Sequence, residues 1–204
     1  MKMDFYLERA GAASWIVQTG ILLLTLFIAS GAMAQQGGWY SSRQCRMKFQ
    51  IPSGWTAHPL TPDRSGDSKN AICIVRLQPR NIADLIHQND EVDLYTIEIA
   101  TVVADNFDHA AESGGFERRK DGWVVLGRTD IESPAHSIKS SRWKGLEATA
   151  TVGCFHENGG GYAGLCDAPT AVVYDGAKTS AVLDGKPQSS DQFEKILKTF
   201  EFLH

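Results

Sequence analysis

The chain has 204 residues, 43% hydrophobic and 22% charged, with 20 basic against 24 acidic side chains and a formal net charge of −4. This is globular composition, which excludes a disordered or collagen-like chain. It also argues against a general nucleic-acid binder, because neutralising phosphates needs a concentrated basic face.

The N-terminus reads as an address. Lys2 and Arg9 sit in a polar leader, an apolar run follows from Ile21 to Ala29, and the small triplet Ala32-Met33-Ala34 comes next. A basic leader, a short apolar core and an A-x-A site make a secretory signal peptide over residues 1–34, cleaved after Ala34. The competing reading is an uncleaved anchor, since residues 15–34 nearly suffice to span a bilayer. Export implies a periplasmic or secreted protein that meets the membrane only through this segment before cleavage. Removing it takes away Lys2 and Arg9 but also Asp4 and Glu8, so the net charge of −4 is kept. The remainder is expected to be one domain, large enough to bury roughly 70% of its unfolded surface.

All four cysteines, Cys45, Cys73, Cys154 and Cys166, follow the leader. An even count in an exported chain points to disulfides. Of the three possible pairings, Cys154–Cys166 with Cys45–Cys73 is favoured. The first pair brackets a glycine-rich turn from Phe155 to Tyr162, as the base of a hairpin would. Closing it stabilises the fold by about 3 kcal/mol in the chain-entropy model. Buried reduced thiols are the alternative.

Residues 35–42 read as a flexible lead-in, and residues 43–204 as the domain. From Cys45 to Ile51 apolar residues fall on odd positions and polar ones on even positions, a strand with one buried face. Pro52-Ser53-Gly54 breaks it, and a second strand starts at Trp55 and runs to Leu60. Residues 61–70 form a loop. A central strand covers 71–77, a short helix lies within 81–88, and another strand covers 92–100. Val103, Phe107, Ala110 and Ala111 repeat at helical spacing up to Gly114-Gly115, a left-handed cap. Strands at 116–119 and 123–127 flank a hairpin turn at Asp121-Gly122. Further strands are expected at 135–141, 145–155, 161–166, 170–175 and 178–183. Phe193, Ile196, Leu197 and Phe200 place one apolar stripe on a C-terminal amphipathic helix. Ser189 with Gln192 fits a capping box there.

No motif names a reaction. Gly159-x-Gly161-x-x-Gly164 matches the dinucleotide fingerprint, but Cys166 and Pro169 follow where a helix is required. Cys154 with His156 suggests a thiol–imidazole pair, yet a cysteine in a disulfide is no thiolate. His136, His156 and Glu157 are weak candidate metal ligands, should their strands be adjacent. The remaining histidines, His58, His87, His109 and His204, are scattered. Trp55, Trp123 and Trp143 read as packing residues at strand ends. The basic clusters Arg118-Arg119-Lys120 and Lys139, Arg142, Lys144 read as solvated faces. No cofactor is expected.

Two stretches carry a family resemblance. The strand Phe49-Gln50-Ile51 runs into Pro52-Ser53-Gly54-Trp55, and the chain closes with Phe193-Glu194-Lys195-Ile196-Leu197-Lys198-Thr199-Phe200. In this order they resemble the PsbP-like superfamily, over about residues 43–203. The resemblance implies an α+β fold, an antiparallel β-sheet flanked by helices as an α/β/α sandwich. It also implies a non-enzymatic role in binding or assembly. No functional residues carry over, and the four cysteines depart from the pattern. The expectation is an exported, non-catalytic domain that contacts an envelope protein through the turn bearing His156, Glu157, Asn158, Gly160 and Tyr162. A metal-assisted hydrolase using His136, His156 and Glu157 is the rival, and a small-ligand carrier the third class.

Overall fold

The structure is a computed structural model that describes residues 35–62, 71–83, 85, 94–127, 131–155 and 162–204. The leader and its cleavage site therefore lie outside the described residues. So does most of the short helix read at 81–88, of which the Leu85 N–H to Asn81 carbonyl bond at 3.1 Å marks the first turn.

The chain opens with β1 (Gln35–Ser42), β2 (Met47–Leu60), β3 (Ala71–Pro79) and β4 (Ile97–Val103). Helix α1 (Phe107–Ser113) follows, then β5 (Phe116–Arg119), β6 (Gly122–Leu126) and β7 (Glu132–Pro134). The last part contains β8 (His136–Lys139), β9 (Lys144–Phe155), β10 (Tyr162–Tyr174), β11 (Thr179–Gly185), α2 (Ser190–Thr199) and β12 (Glu201–Phe202). The large sheet is antiparallel in the order β1-β2-β3-β4-β11-β10-β9-β8, with β12 paired to β2, and β5-β6-β7 form a separate small sheet.

Strand alternation gives the large sheet two apolar faces. On β10, Ala171 and Val173 join one buried cluster while Val172 and Tyr174 join the other. The larger cluster takes Met47, Phe49 and Ile51 from β2, in the odd-numbered pattern read from the sequence, and Phe193, Ile196, Leu197 and Phe200 from α2 and its end. The second cluster lies beneath α1, Phe116 of β5 and Val125 of β6. The sheet curls far enough for the Trp143 indole, in the β8–β9 turn, to donate to the Phe200 carbonyl at 2.9 Å.

The molecule is thus α+β, but it is not the helix-flanked α/β/α sandwich expected. One face carries a helix; the other carries a two-turn helix and a three-stranded sheet. The reason is length. At seven residues α1 spans only about 10 Å, too little to cover a face that wide, and β5–β7 complete it.

Several local expectations also need correction. Residues 35–42 are not a lead-in: they are β1, in register with β2, and Tyr40 stacks on Phe49 at 5.0 Å. Pro52-Ser53-Gly54 bends β2 without ending it, because Gly54 takes a left-handed φ of +80° and its carbonyl receives the Arg80 N–H at 2.8 Å. The strands read at 161–166 and 170–175 are one strand, β10, running through Pro169. Val103 ends β4 and is not part of the helix, which starts after Asn106; the Asn106 side chain accepts from the His109 N–H at 2.9 Å. Within the Gly114-Gly115 cap, the left-handed residue is Gly115. Gly122 pairs with Arg119, so the hairpin turn is Lys120-Asp121, one residue earlier than read. Ser189 forms no capping box, since its hydroxyl donates to the Lys186 carbonyl at 2.7 Å.

Candidate functional site

β9 and β10 pair continuously from Lys144–Tyr174 out to Phe155–Tyr162. Their flanking strands stop short. β8 pairs only with Lys144 to Glu147 of β9, and β11 only with Thr170 to Tyr174 of β10. Among the described residues no third strand hydrogen-bonds to the outer halves of these strands, which form a two-stranded ribbon, although β6 and β7 pack against β9 and Ala148, Ala150 and Val152 join the second apolar cluster. A ribbon without an adjoining hydrogen-bonded strand depends more on side-chain packing and cross-links for its order.

The cystine compensates. The structure joins Cys154 to Cys166 and Cys45 to Cys73, and leaves no cysteine free. Cys154 lies opposite Gly164, and Cys166 opposite Val152, so the bond crosses the ribbon diagonally on one face. The pairing shifts between Tyr162 and Gly164, and Gly164 holds a φ of +126° at that irregularity, where a side chain would be strained.

The two edges of the ribbon differ. On the β9 side, Gly127 sits so close that a Cβ there would overlap the Thr151 carbonyl. On the β10 side, Pro169 marks the point where the flanking strand ends, and Leu165 is 49% exposed. The arrangement presents a backbone edge with an apolar side chain near it, which is the geometry used in strand-addition recognition.

At the root of the ribbon Glu147 pairs with His136, so their side chains share a face. Glu147 also hydrogen-bonds Glu194 of α2, whose carboxylate lies 2.9 Å from the Lys198 ammonium. Burial pushes the Glu147 carboxyl up to about 7, and its bond to Glu194 and that neighbour's charge reinforce the effect. The bond from Lys198 holds Glu194 below the usual carboxylate range. The two carboxyls consequently share a proton near neutrality, which joins α2 to β9 through one hydrogen bond.

Of the other candidate metal ligands and contact residues, only His136 and Tyr162 are among the described residues. His156, Glu157, Asn158 and Gly160 lie outside the described residues, and Tyr162 opens β10. His136 is exposed on β8. Among the described residues no cluster of three or more His, Cys, Asp or Glu side chains could hold a metal ion. After Gly164 the chain continues as strand to Tyr174, where the dinucleotide fingerprint requires a helix. Arg118 pairs with Asp108, Arg119 with Glu117 and Glu132, and Arg142 with Glu201, which neutralises much of both basic clusters. Sequence reading missed the free ribbon edge. It could list the strands, but not which ones outrun their neighbours.

No family model and no curated protein matches the chain. A solved structure from Bacteroides thetaiotaomicron VPI-5482 aligns over 83% of this chain and 50% of its own length, at 10% identity and a TM-score of 0.33. This chain thus spans half the length of that structure. Two disulfides fit an oxidising, extracytoplasmic setting. Among the described residues no helix is long and apolar enough to cross a membrane.

Proposed function

We propose that the protein is an exported, non-catalytic binding domain that contacts an envelope protein through the ribbon of β9 and β10 and the turn that joins them. The observation that carries this reading is the stapled ribbon: it outruns the sheet, is held by Cys154–Cys166, and keeps the β10 edge without a strand partner among the described residues. A bond that rigidifies the arm lowers the ordering cost of binding. Cleavage of the leader after Ala34 belongs to the same proposal, and intact mass of the exported protein tests it. A carrier role draws no support from the larger cluster, where Phe193, Ile196 and Leu197 fill the space between α2 and the sheet at 6% exposure or less.

Kinship with the PsbP-like superfamily is also proposed. It is supported by the strand that passes through Pro52-Ser53-Gly54-Trp55 and by the closing α2. The chain departs from that pattern in the small sheet over its second face.

The test is site-specific photo-crosslinking in envelopes from Leu165 on the ribbon and from Glu112 on α1. A single adduct from position 165 that disappears in the Cys154→Ser/Cys166→Ser variant supports the reading. No adduct from 165, or the same adducts from both positions, overturns it.

A further inference from the structure

Away from the ribbon, the turn between β1 and β2 carries Arg43 and Arg46 and is unusually well fixed. The Arg46 N–H donates to the Arg43 carbonyl at 3.2 Å, and the Cys45 N–H donates to the Ser42 hydroxyl at 3.2 Å. The Leu203 N–H donates to the Arg46 carbonyl at 3.0 Å. Cys45, itself 4% exposed, bonds the turn covalently to β3 through Cys73.

Within this frame Arg46 has a φ of +53°, and among the described residues no other non-glycine residue has a positive φ. That conformation costs an L-residue roughly 1–2 kcal/mol. A glycine or asparagine would adopt it more easily, so the strain comes with the arginine side chain at this position.

The two arginine side chains of the turn also lack acidic partners among the described residues. Arg76, Arg118, Arg119 and Arg142 each have a carboxylate in ion-pair range, whereas Arg80, like Arg43 and Arg46, has none among those residues. The Arg46 guanidinium donates instead to the neutral Thr179 hydroxyl at 3.3 Å. The nearby acids are already engaged: Asp175 accepts the Ala177 and Thr179 N–H groups at 2.7 and 3.0 Å, and Glu201 faces Lys48 and Arg142. Arg43, Arg46, Thr179, Leu203 and His204 line one open cleft of about 270 Å³.

We propose that this cleft is a binding site for a phosphoryl oxyanion. Two guanidinium groups offer forked donors that match tetrahedral oxygens. The Thr179 hydroxyl accepts from Arg46 and keeps its own proton to donate to a ligand oxygen. The cystine and the Leu203 bond fix the backbone of the turn that carries both arginines, and the Thr179 bond orients the Arg46 guanidinium, which limits the ordering cost of binding. The phosphoryl group belongs either to free phosphate or to a phospholipid head group, and the same cleft chemistry serves both.

The experiment uses the full chain at low ionic strength, with inorganic phosphate titrated calorimetrically and chloride as control. In parallel, sedimentation is measured with phosphatidylglycerol–phosphatidylcholine vesicles. Arg43→Gln and Arg46→Gly are compared with the parent. Each loses charge-assisted bonds, so affinity for phosphate or vesicles falls roughly 10- to 100-fold. Arg46→Gly also relieves the backbone, so its melting temperature rises while binding is lost. A merely structural arginine would not give that opposed pair of changes. Phosphate binding that both substitutions weaken identifies free phosphate as a ligand; arginine-dependent vesicle binding alone identifies the head group. No binding to either probe, or binding that both variants retain, overturns the proposal.

Discussion

The two cystines of this protein form the same bond in regions that differ in strand pairing. Cys45–Cys73 lies inside the larger apolar cluster, with both cysteines at 7% exposure or less and the stacked Tyr40–Phe49 pair in the same cluster. Cys154–Cys166 crosses a ribbon whose neighbours have ended. In the first region packing already holds the chain, and the bond fixes one turn within it. In the second Cys154 is only 4% exposed, but no third strand hydrogen-bonds alongside among the described residues, and the bond supplies restraint that strand pairing does not. A cystine's consequence is therefore set by what surrounds it as much as by the loop it closes.

The largest effect is expected where the loop is longer and the surroundings are packed. Cys45→Ala/Cys73→Ala opens a separation of 28 residues and should lower global stability by about 3–4 kcal/mol, read from denaturant unfolding. The double alanine change at Cys154 and Cys166 opens a separation of 12 residues. It should cost about 2–3 kcal/mol if the ribbon unfolds with the rest of the domain. The comparison predicts a smaller global loss, with faster amide exchange confined to residues 149–155 and 162–167. Equal, uniform changes for the two variants would remove the distinction.

A smaller test lies across from Cys73. The Thr101 hydroxyl is buried without a hydrogen-bond partner among the described residues, in register with Cys73 and Ala181. Thr101→Val keeps the shape, removes the unpaired group, and should stabilise the packed region by about 1 kcal/mol. A loss of stability would mean that the hydroxyl has a partner.

The subtlest test sits at the root of the ribbon. Folding raises Glu147 from 4.5 to about 7. Between those values the folded state binds the extra proton, so this group makes stability fall as pH rises through the window. Glu194, held low by Lys198, acts with the opposite sign and only below the ordinary carboxylate range. Glu147→Gln mimics the protonated form and should flatten the melting-temperature profile between pH 4.5 and 7. An unchanged slope would assign the pH dependence to other groups.

Much of the fold was legible because its signals are local. The odd-numbered apolar pattern in β2 and the stripe Phe193, Ile196, Leu197, Phe200 each express one element's own periodicity. The pairing of Cys154 with Cys166 followed from the turn between them. What failed was mostly context. Gln35–Ser42 carries little apolar pattern, yet pairing with β2 makes it a strand. Pro52-Ser53-Gly54 and Pro169 look like breaks, but the strands pass through them, with Gly54 in a conformation open to glycine. Ser189 has the spacing of a cap, but its hydroxyl turns back to Lys186.

The candidate sites were less legible than the elements. The sequence alone determined the buried face of β2, the closing helix and the cysteine positions, because side-chain alternation and helical spacing are properties of neighbours in the chain. Only the tertiary structure decided that β9 and β10 outrun β8 and β11, that a small sheet covers the second face, and that Thr179 and Leu203 come to the Arg43–Arg46 turn. Those facts depend on which distant segments pair and where their pairing stops. Contacts between residues more than a hundred positions apart, such as Arg46 and Thr179, leave no periodic trace in either segment.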